Sequence, residues 1–266
     1  MTRAVALVNT PAVHVLEHNL LAYRRSFRGS LFSSFVQPIL FLAAMGLGLG
    51  GIVDKSGAAG SLGGVSYLTF LAPGLLAAAA MQVAFSEATY PILASLSWVR
   101  TYFAIAATPA TPRAIAVGQI LFMLFRLALV TGIFTVVTLA FGVDRSAGGV
   151  ILAWGASILT GLAFATPIAA YSATRKTADS FNALFRFGMT PLFLFSGTFF
   201  PLDRLPGFLQ PIAALTPLYH GVALTRGFAL GSLEPSAAVA HIAYLAILAA
   251  LGTYACLVTF ERRLVS

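Results

Sequence analysis

Four stretches of this chain, Gly29–Val53, Ser56–Ser86, Ser146–Thr174 and Pro235–Phe260, contain no Asp, Glu, Lys or Arg. About 20 mostly apolar helical residues cross the ~30 Å hydrocarbon layer of a bilayer, and each stretch is long enough to hold such a helix. Nothing else in the sequence limits the fold so strongly. A water-soluble domain covers its surface with roughly 25% charged residues. Here charged residues are 9%, hydrophobic residues 59%, and mean hydropathy is +0.90. The chain therefore reads as an integral membrane protein. Apolar segments are spread along all 266 residues, and no polar block is large enough for a second fold, so a single all-α membrane domain over 1–266 is expected.

Six spans are expected, at about 31–52, 66–86, 114–141, 148–173, 185–201 and 237–260. The third is interrupted by Arg126. The fifth is the odd one, because only Phe187–Leu202 is free of charge and it contains Pro191. Sixteen helical residues reach about 24 Å, a marginal crossing. Basic residues give an orientation. With the N-terminus inside, the inner side holds Arg3, Arg24, Arg25, Arg28, Arg100, Arg113, Arg175, Lys176, Arg186, Arg262 and Arg263. The outer side holds Lys55, Arg145, Arg204 and Arg226. Cytoplasmic loops of membrane proteins carry the excess of Lys and Arg, so both termini are expected in the cytoplasm. The net charge of +8 then reports topology and headgroup attraction and does not point to nucleic acid. The single cysteine, Cys256, lies in an apolar run and excludes an internal disulfide.

The first 30 residues lack the apolar core and cleavage site of a signal peptide. Thr10-Pro11 instead reads as a helix cap followed by proline in the first turn. Val13, Leu16 and Leu20 share one face beyond it, with His14, Glu17, His18 and Arg24 elsewhere. The pattern predicts an amphipathic helix lying on the inner membrane surface and ending near Arg24, Arg25 and Arg28.

Two connections do not read as simple loops. The stretch "EATYPILASLSWVRTYFAIAATPATPR", Glu87 to Arg113, joins the second and third spans on the cytoplasmic side. Its aromatic and charged residues, Glu87, Tyr90, Trp98, Arg100 and Tyr102, suit either anchoring at the membrane interface or docking of a cytoplasmic partner, since aromatics and Arg anchor protein interfaces. The stretch "GTFFPLDRLPGFLQPIAALTPLYHG", Gly197 to Gly221, is apolar, yet Pro201, Pro206, Pro211 and Pro217 forbid one continuous helix. Irregular backbone at membrane depth survives only where protein buries it or a watery cavity receives it. Thr216-Pro217 predicts a helix over 217–230 ending before Gly231, with Leu218, Val222, Thr225 and Ala229 on its apolar face and Tyr219 and Arg226 beside it. The two features together predict a broken re-entrant hairpin entering from outside. It serves as a gate or as an interfacial plug.

Arg126 is the charge that stands out within a span. It lies too deep to reach the inner surface easily, and intramembrane ionisable residues face the bundle interior and mark pathways. No acid is evident at its depth, and Glu87 lies nearer the inner surface, so its partner is expected to be carbonyls of a neighbouring subunit or an anionic substrate group. His241 reads as a helix contact, and Gly46-x-x-x-Gly50 suits close helix packing. The chain has no phosphate-binding loop, because its two lysines follow Asp54 and Arg175 where that loop needs glycine. Metal clusters, nucleophile elbows and paired carboxylates are absent from the sequence as well. No catalytic residue, metal or cofactor is expected in this chain, and with eight acids, nearly all at span ends, ion-coupled transport is poorly supported.

At "YLTFLAPGLLAAAAMQVAFSEATYPIL", "TYFAIAATPATPRAI", "FRFGMTPLFLFSGTFFPLDRLP" and "LTPLYHGVALTRGFALG" the chain resembles the type-2 permeases of ABC exporters, in their nodulation-type, lipo-oligosaccharide branch. The resemblance covers nearly the whole chain. It implies two permease subunits, expected as a homodimer, working with two separate ATPase subunits that bind ATP and Mg. It further implies a plasma-membrane exporter of amphipathic cargo, either lipo-oligosaccharide or drug-like. In that family's plan, Glu87, Tyr90, Trp98, Arg100, Tyr102 and Thr108 would belong to the coupling helix seated on the ATPase, with the N-terminal helix packed beside it. Phe199, Phe200, Pro206, Phe208, Pro217, Tyr219 and Arg226 would belong to the outer gate. A secondary transporter would instead need intramembrane acids or interrupted helices in both halves, and a membrane enzyme would need convergent acid, base or metal groups.

Overall fold

The computed structural model describes residues 10–55, 64–143 and 146–265, and among these all regular structure is helical. Arg3 and Arg145, both counted in the charge asymmetry, lie outside the described residues. Helix α1 (Pro11–Leu42) passes through a π-helical stretch, Ala43–Leu49, into α2 (Gly50–Lys55). Helix α3 (Tyr67–Ala88) is followed by α4 (Tyr90–Leu93), a π-helical turn (Ala94–Trp98) and α5 (Thr101–Ala106). Then come α6 (Pro112–Ala140) and α7 (Ala147–Ala173). Helix α8 (Asp179–Ala183), a π-helical stretch (Leu184–Met189) and α9 (Thr190–Phe195) form one short rod. A 3-10 turn (Leu202–Arg204), α10 (Gln210–Ala214), α11 (Pro217–Leu230) and α12 (Pro235–Val265) complete the chain.

Helix starts follow the capping residues. Ser66, Thr111, Ser146 and Thr216 each sit in extended backbone, and each side-chain oxygen accepts from the amide three residues on. That contact satisfies one of the orphan donors of the first turn. Pro112 and Pro217 follow two of these caps, at the position where a missing N–H costs nothing. Helix α11 ends at Gly231, whose φ of 67° gives the left-handed stop expected there.

Four stretches, Tyr67–Trp98, Pro112–Ala140, Ala147–Ala173 and Pro235–Val265, are long and apolar enough to cross a membrane, matching the spans expected at 66–86, 114–141, 148–173 and 237–260. Helix α7 packs against α3, α6, α11 and α12, and so forms the middle of the bundle. Helix α3 is apolar all round and correspondingly buried, with Leu71, Ala72, Ala77, Ala78 and Met81 fully covered.

Two expectations need correction. The N-terminal helix does not end near residue 30. Helix α1 continues unbroken to Leu42, with no proline between Pro11 in its first turn and Pro38. In its first four turns the buried residue is Val15, 3% exposed, against Gly118 of α6. A Cβ at Gly118 would lie 2.6 Å from the Val15 Cβ, so glycine is what lets the two helices meet. Asn19 lies on this same side and donates to Gln119 Oε1 at 3.0 Å. Val15 and the partnered amide of Asn19 mark the face of α1 that packs on α6. The apolar stretch Pro38–Val53, near the expected first span, is shorter than the other four.

The second correction concerns 185–201. The rod begins at Asp179 and ends at Phe195, and Ser196–Phe200 form bends with Gly197 at φ 80°. The carbonyls of Gly197 and Thr198 are engaged by Arg226, which holds the chain out of the helix there.

Candidate functional site

One end of the bundle carries the connection 89–110. Helix α3 stops at Thr89, whose φ of −105° and ψ of −95° turn the chain, and Pro91 restarts it in the first turn of α4. Ile92, Leu93 and Leu96 are buried, which seats the connection across the helix ends. Tyr102 fixes it further: its phenol donates to Gln119 Oε1 at 2.8 Å, and its ring lies 5.7 Å from that of Phe260. Burial raises the pKa of this phenol, so it remains a neutral donor. Gln119 thus joins α1, α5 and α6 through one oxygen that accepts from both Asn19 and Tyr102.

Four of the six residues predicted to touch a partner here, Tyr90, Trp98, Arg100 and Thr108, are exposed. Trp98 is 58% exposed and its neighbour Val99 72%. Tyr102 is not part of that surface; at 2% exposure it anchors the segment from beneath. Beside the segment, Ile105, Thr108 and Pro109 face Pro11, His14, Val15 and His18 of α1 across a groove of about 400 Å³.

Glu87 is also turned inward, and this corrects the expectation for Arg126. Arg126 Nε donates to Glu87 Oε1 at 2.8 Å, with the two side chains only 12% and 15% exposed. The guanidinium also lies 4.4 Å from the centroid of the Tyr23 ring. Its partner is therefore an acid on α3 of the same chain. Depth counted along each helix separately concealed this, because both side chains are long enough to meet midway.

The other candidate region runs from Ser196 to Leu230. Arg226 leaves α11 and reaches α3 and the bend after α9. Its Nε donates to Phe70 O at 3.0 Å, and its Nη2 to Gly197 O at 3.0 Å and Thr198 O at 3.1 Å. The guanidinium stacks 3.7 Å over the Phe70 ring. Gly74 makes room for it: a Cβ there would lie 2.7 Å from Nη2 and 3.0 Å from Thr198 O. Thr225 adds a hydroxyl bond to Pro73 O at 2.8 Å. Leu218, Val222, Thr225 and Ala229 are all buried, the predicted face of α11. Arg226, counted as an outer loop charge, is packed inside protein instead.

The remaining candidates divide. Phe199 packs edge-on against Phe193 at 5.0 Å and lies near Phe41, while Phe200, Pro217 and Tyr219 are half-buried. Pro206 and Phe208 project outward, Phe208 with 72% exposure. His241 is a helix contact, as expected, and its partner is His220, with the Nδ1 atoms 2.7 Å apart. Tyr244 stacks on the His220 ring and donates from its hydroxyl to Leu215 O.

Comparison with known proteins identifies this architecture. A model of the family described as ABC-2 type transporter matches residues 13–230. The chain belongs to the ABC-2 type transporter family. It is similar to Nodulation protein J of Rhizobium leguminosarum bv. viciae, with 33% identity over 88% of this chain and 87% of that protein. Nodulation protein J of Bradyrhizobium diazoefficiens is 32% identical, over 94% of this chain and 92% of the relative. As an ABC-2 family member the chain is a transmembrane permease subunit and not an ATPase, and the family in general works with an ABC ATPase.

Several residues that build these regions were not singled out in the sequence. Asn19 and Gln119 carried no pattern beyond being amides in apolar helices, although polar side chains in such helices commonly bond across to a neighbour. His220 and Tyr244, which meet each other and the singled-out His241, likewise carried no pattern.

Proposed function

We propose that this ABC-2 permease exports an amphipathic cargo, lipid-linked or lipo-oligosaccharide in kind or drug-like, from the cytoplasmic side outward. Two copies work with two ABC ATPase subunits, and those subunits bind the ATP and Mg while this chain holds no cofactor of its own. Residues 1–266 act as one membrane domain of six spans in the bacterial inner membrane. The second half of α1 with α2, and the rod 179–195, supply the two spans that length alone does not mark. Both termini are cytoplasmic.

The observation that carries the reading is the connection 89–110. Its underside is fixed by Tyr102, Ile92 and Leu96, while Tyr90, Trp98, Arg100 and Thr108 stay exposed. A rigid, externally exposed element spanning the ends of several helices suits transmission of ATPase movement. Tyr102 acts as a positioning residue, and the Glu87–Arg126 pair ties the end of α3 to α6. At the opposite end the broken re-entrant hairpin forms the outer gate. Phe199, Phe200, Pro206, Phe208, Pro217 and Tyr219 line it, and Arg226 holds it to α3.

An intramembrane acid free to carry a coupling ion would favour a gradient-driven carrier, whereas Glu87 is held by Arg126. The test is reconstitution with and without a cognate ABC ATPase in inside-out vesicles. ATP-dependent accumulation of a fluorescent lipo-oligosaccharide or amphipathic dye is expected only with both proteins. Uptake by the chain alone under a proton or sodium gradient would overturn the proposal.

A further inference from the structure

Between the connection 89–110, the residues just after α7 and the last turns of α12, Leu96, Ser97, Arg100, Phe103, Lys176 and Arg263 line an open cavity of about 570 Å³. Three cations from three separate parts of the chain border it, and none of these lining residues is acidic. Like charges gathered around one space repel, and the repulsion is stronger beside low-dielectric protein than in water. Two polar atoms of this lining, Ser97 Oγ and Arg263 Nε, are buried without a hydrogen-bond partner. Native proteins leave few such atoms unmatched, so each asks for an explanation. Arg100 also sits at φ 57° and ψ 27°, the left-handed region that non-glycine residues seldom occupy. The backbone corner that places its side chain at the cavity is thus held by its surroundings against local preference.

The gathered positive charge and the unmatched polar atoms are both answered by an anion that presents several acceptor oxygens. Guanidinium groups match phosphate geometry, and Lys176 and Ser97 add an ammonium and a hydroxyl to the same lining. The cavity is far larger than a carboxylate requires. It lies beside the exposed Trp98 and Val99, and Trp is enriched at the level of lipid headgroups. Basic pockets at helix ends take up anionic headgroups in membrane proteins. We propose that this cavity binds the phosphate of an anionic lipid headgroup of the phosphatidylglycerol class. The site shares Arg100 with the proposed ATPase-docking surface and lies beside Trp98, so it is tested on this chain alone, where no ATPase competes for either residue.

The purified chain in neutral detergent is titrated with brominated phosphatidylglycerol or brominated phosphatidylcholine while quenching of Trp98 is followed in a Trp154→Phe background. Saturable quenching by phosphatidylglycerol is expected, at least tenfold tighter than by phosphatidylcholine. Lys176→Gln with Arg263→Gln should remove that preference, and Lys176→Gln alone, at an exposed position, should weaken it severalfold without threatening the fold. Arg262→Gln, one residue away and outside the lining, should leave it unchanged. Inorganic phosphate should compete at millimolar concentration. Equal binding of the two lipids overturns the proposal, and so does an unchanged preference in the double variant. Inorganic phosphate binding as tightly as the lipid would make this a soluble-anion site and also refute it. If the double variant keeps its lipid preference but loses a co-purified ATPase, the cavity receives acidic protein side chains and the lipid reading falls.

Discussion

Two arginines lie inside this bundle and are compensated in different ways. Arg126 meets a formal charge, Glu87, and an aromatic face, Tyr23. Arg226 meets dipoles only, the carbonyls of Phe70, Gly197 and Thr198, together with the Phe70 ring. The first arrangement joins regular helices, α1, α3 and α6. The second joins a helix to a bend, and its carbonyl acceptors at 197 and 198 are ones that no helix satisfies. A charge pair is separable into two residues that can be exchanged together, whereas a cation in a cage of carbonyls has no partner to exchange.

The difference can be broken by substitution. Glu87→Ala leaves a buried guanidinium without its counter-charge, and removal of one partner from a buried pair costs about 3–5 kcal/mol. This is the largest loss expected, read as a fall in the thermal unfolding midpoint of the chain in detergent. Replacing both members, Glu87→Leu with Arg126→Met, should recover most of it, because well-packed apolar pairs often equal or exceed buried ion pairs. Failure of the double variant to recover would mean that the pair does more than satisfy itself. Arg226→Met should cost about 2–4 kcal/mol, as carbonyls of the bend lose their donors at about 1–3 kcal/mol each. No second substitution on α3 should rescue it. A rescue of Arg226→Met would mean that the two arginines are compensated in the same way.

Gly74→Ala tests the cage without touching the arginine. The new methyl would meet Nη2 and the Thr198 carbonyl, and overpacking of this kind typically costs about 1–3 kcal/mol. The equivalent change at Gly155 of α7, where an added Cβ meets nothing within 4 Å, should be close to neutral. Equal effects at the two positions would show that Arg226 is free to move aside.

The two arginines also mark where the sequence was legible. The four long apolar stretches, the capped start of α11 at Thr216-Pro217 and its end at Gly231 follow from charge-free length and from local backbone chemistry, and both are properties of neighbouring residues. The Arg126–Glu87 contact was not legible, because it depends on how far two long side chains reach between helices 39 positions apart in the chain. Nor was the burial of Arg226, which looks like an outer loop charge until α11 is folded against α3. The inward turn of Tyr102 depends on Gln119, an amide that no periodicity distinguishes. In each case the deciding partner is remote in sequence.

Tyr102→Phe carries this point to a smaller scale. Loss of the bond to Gln119 should cost about 1 kcal/mol, since a neutral hydrogen bond contributes about that much. The ring contact with Phe260 remains in this variant. Under the proposed function its effect on coupling should exceed its effect on stability, because the connection 89–110 would still be present but less firmly seated. The measurement is ATP hydrolysed per cargo molecule moved, compared at equal amounts of folded complex.

The smallest effect on stability is expected at the exposed side of the same connection, and it discriminates most between roles. Among the described residues, no hydrogen bond ties down the Trp98 side chain, which stands 58% exposed, so Trp98→Ala should change stability by no more than about 0.5 kcal/mol, as for surface positions generally. The same residue should matter if the segment docks an ATPase, because exposed tryptophans are disproportionately the anchors of protein interfaces, where truncation costs about 2 kcal/mol or more. That loss corresponds to a roughly thirtyfold weaker complex, since each 1.4 kcal/mol is tenfold. Co-purification of the ATPase with Trp98→Ala, set beside the unfolding midpoint of the chain alone, separates the two quantities. A weakened complex with an unchanged midpoint supports docking. An unchanged complex with reduced partitioning into the bilayer would assign Trp98 to the membrane interface instead, and the contact surface would then have to be sought at Tyr90, Thr108 and the groove beside α1.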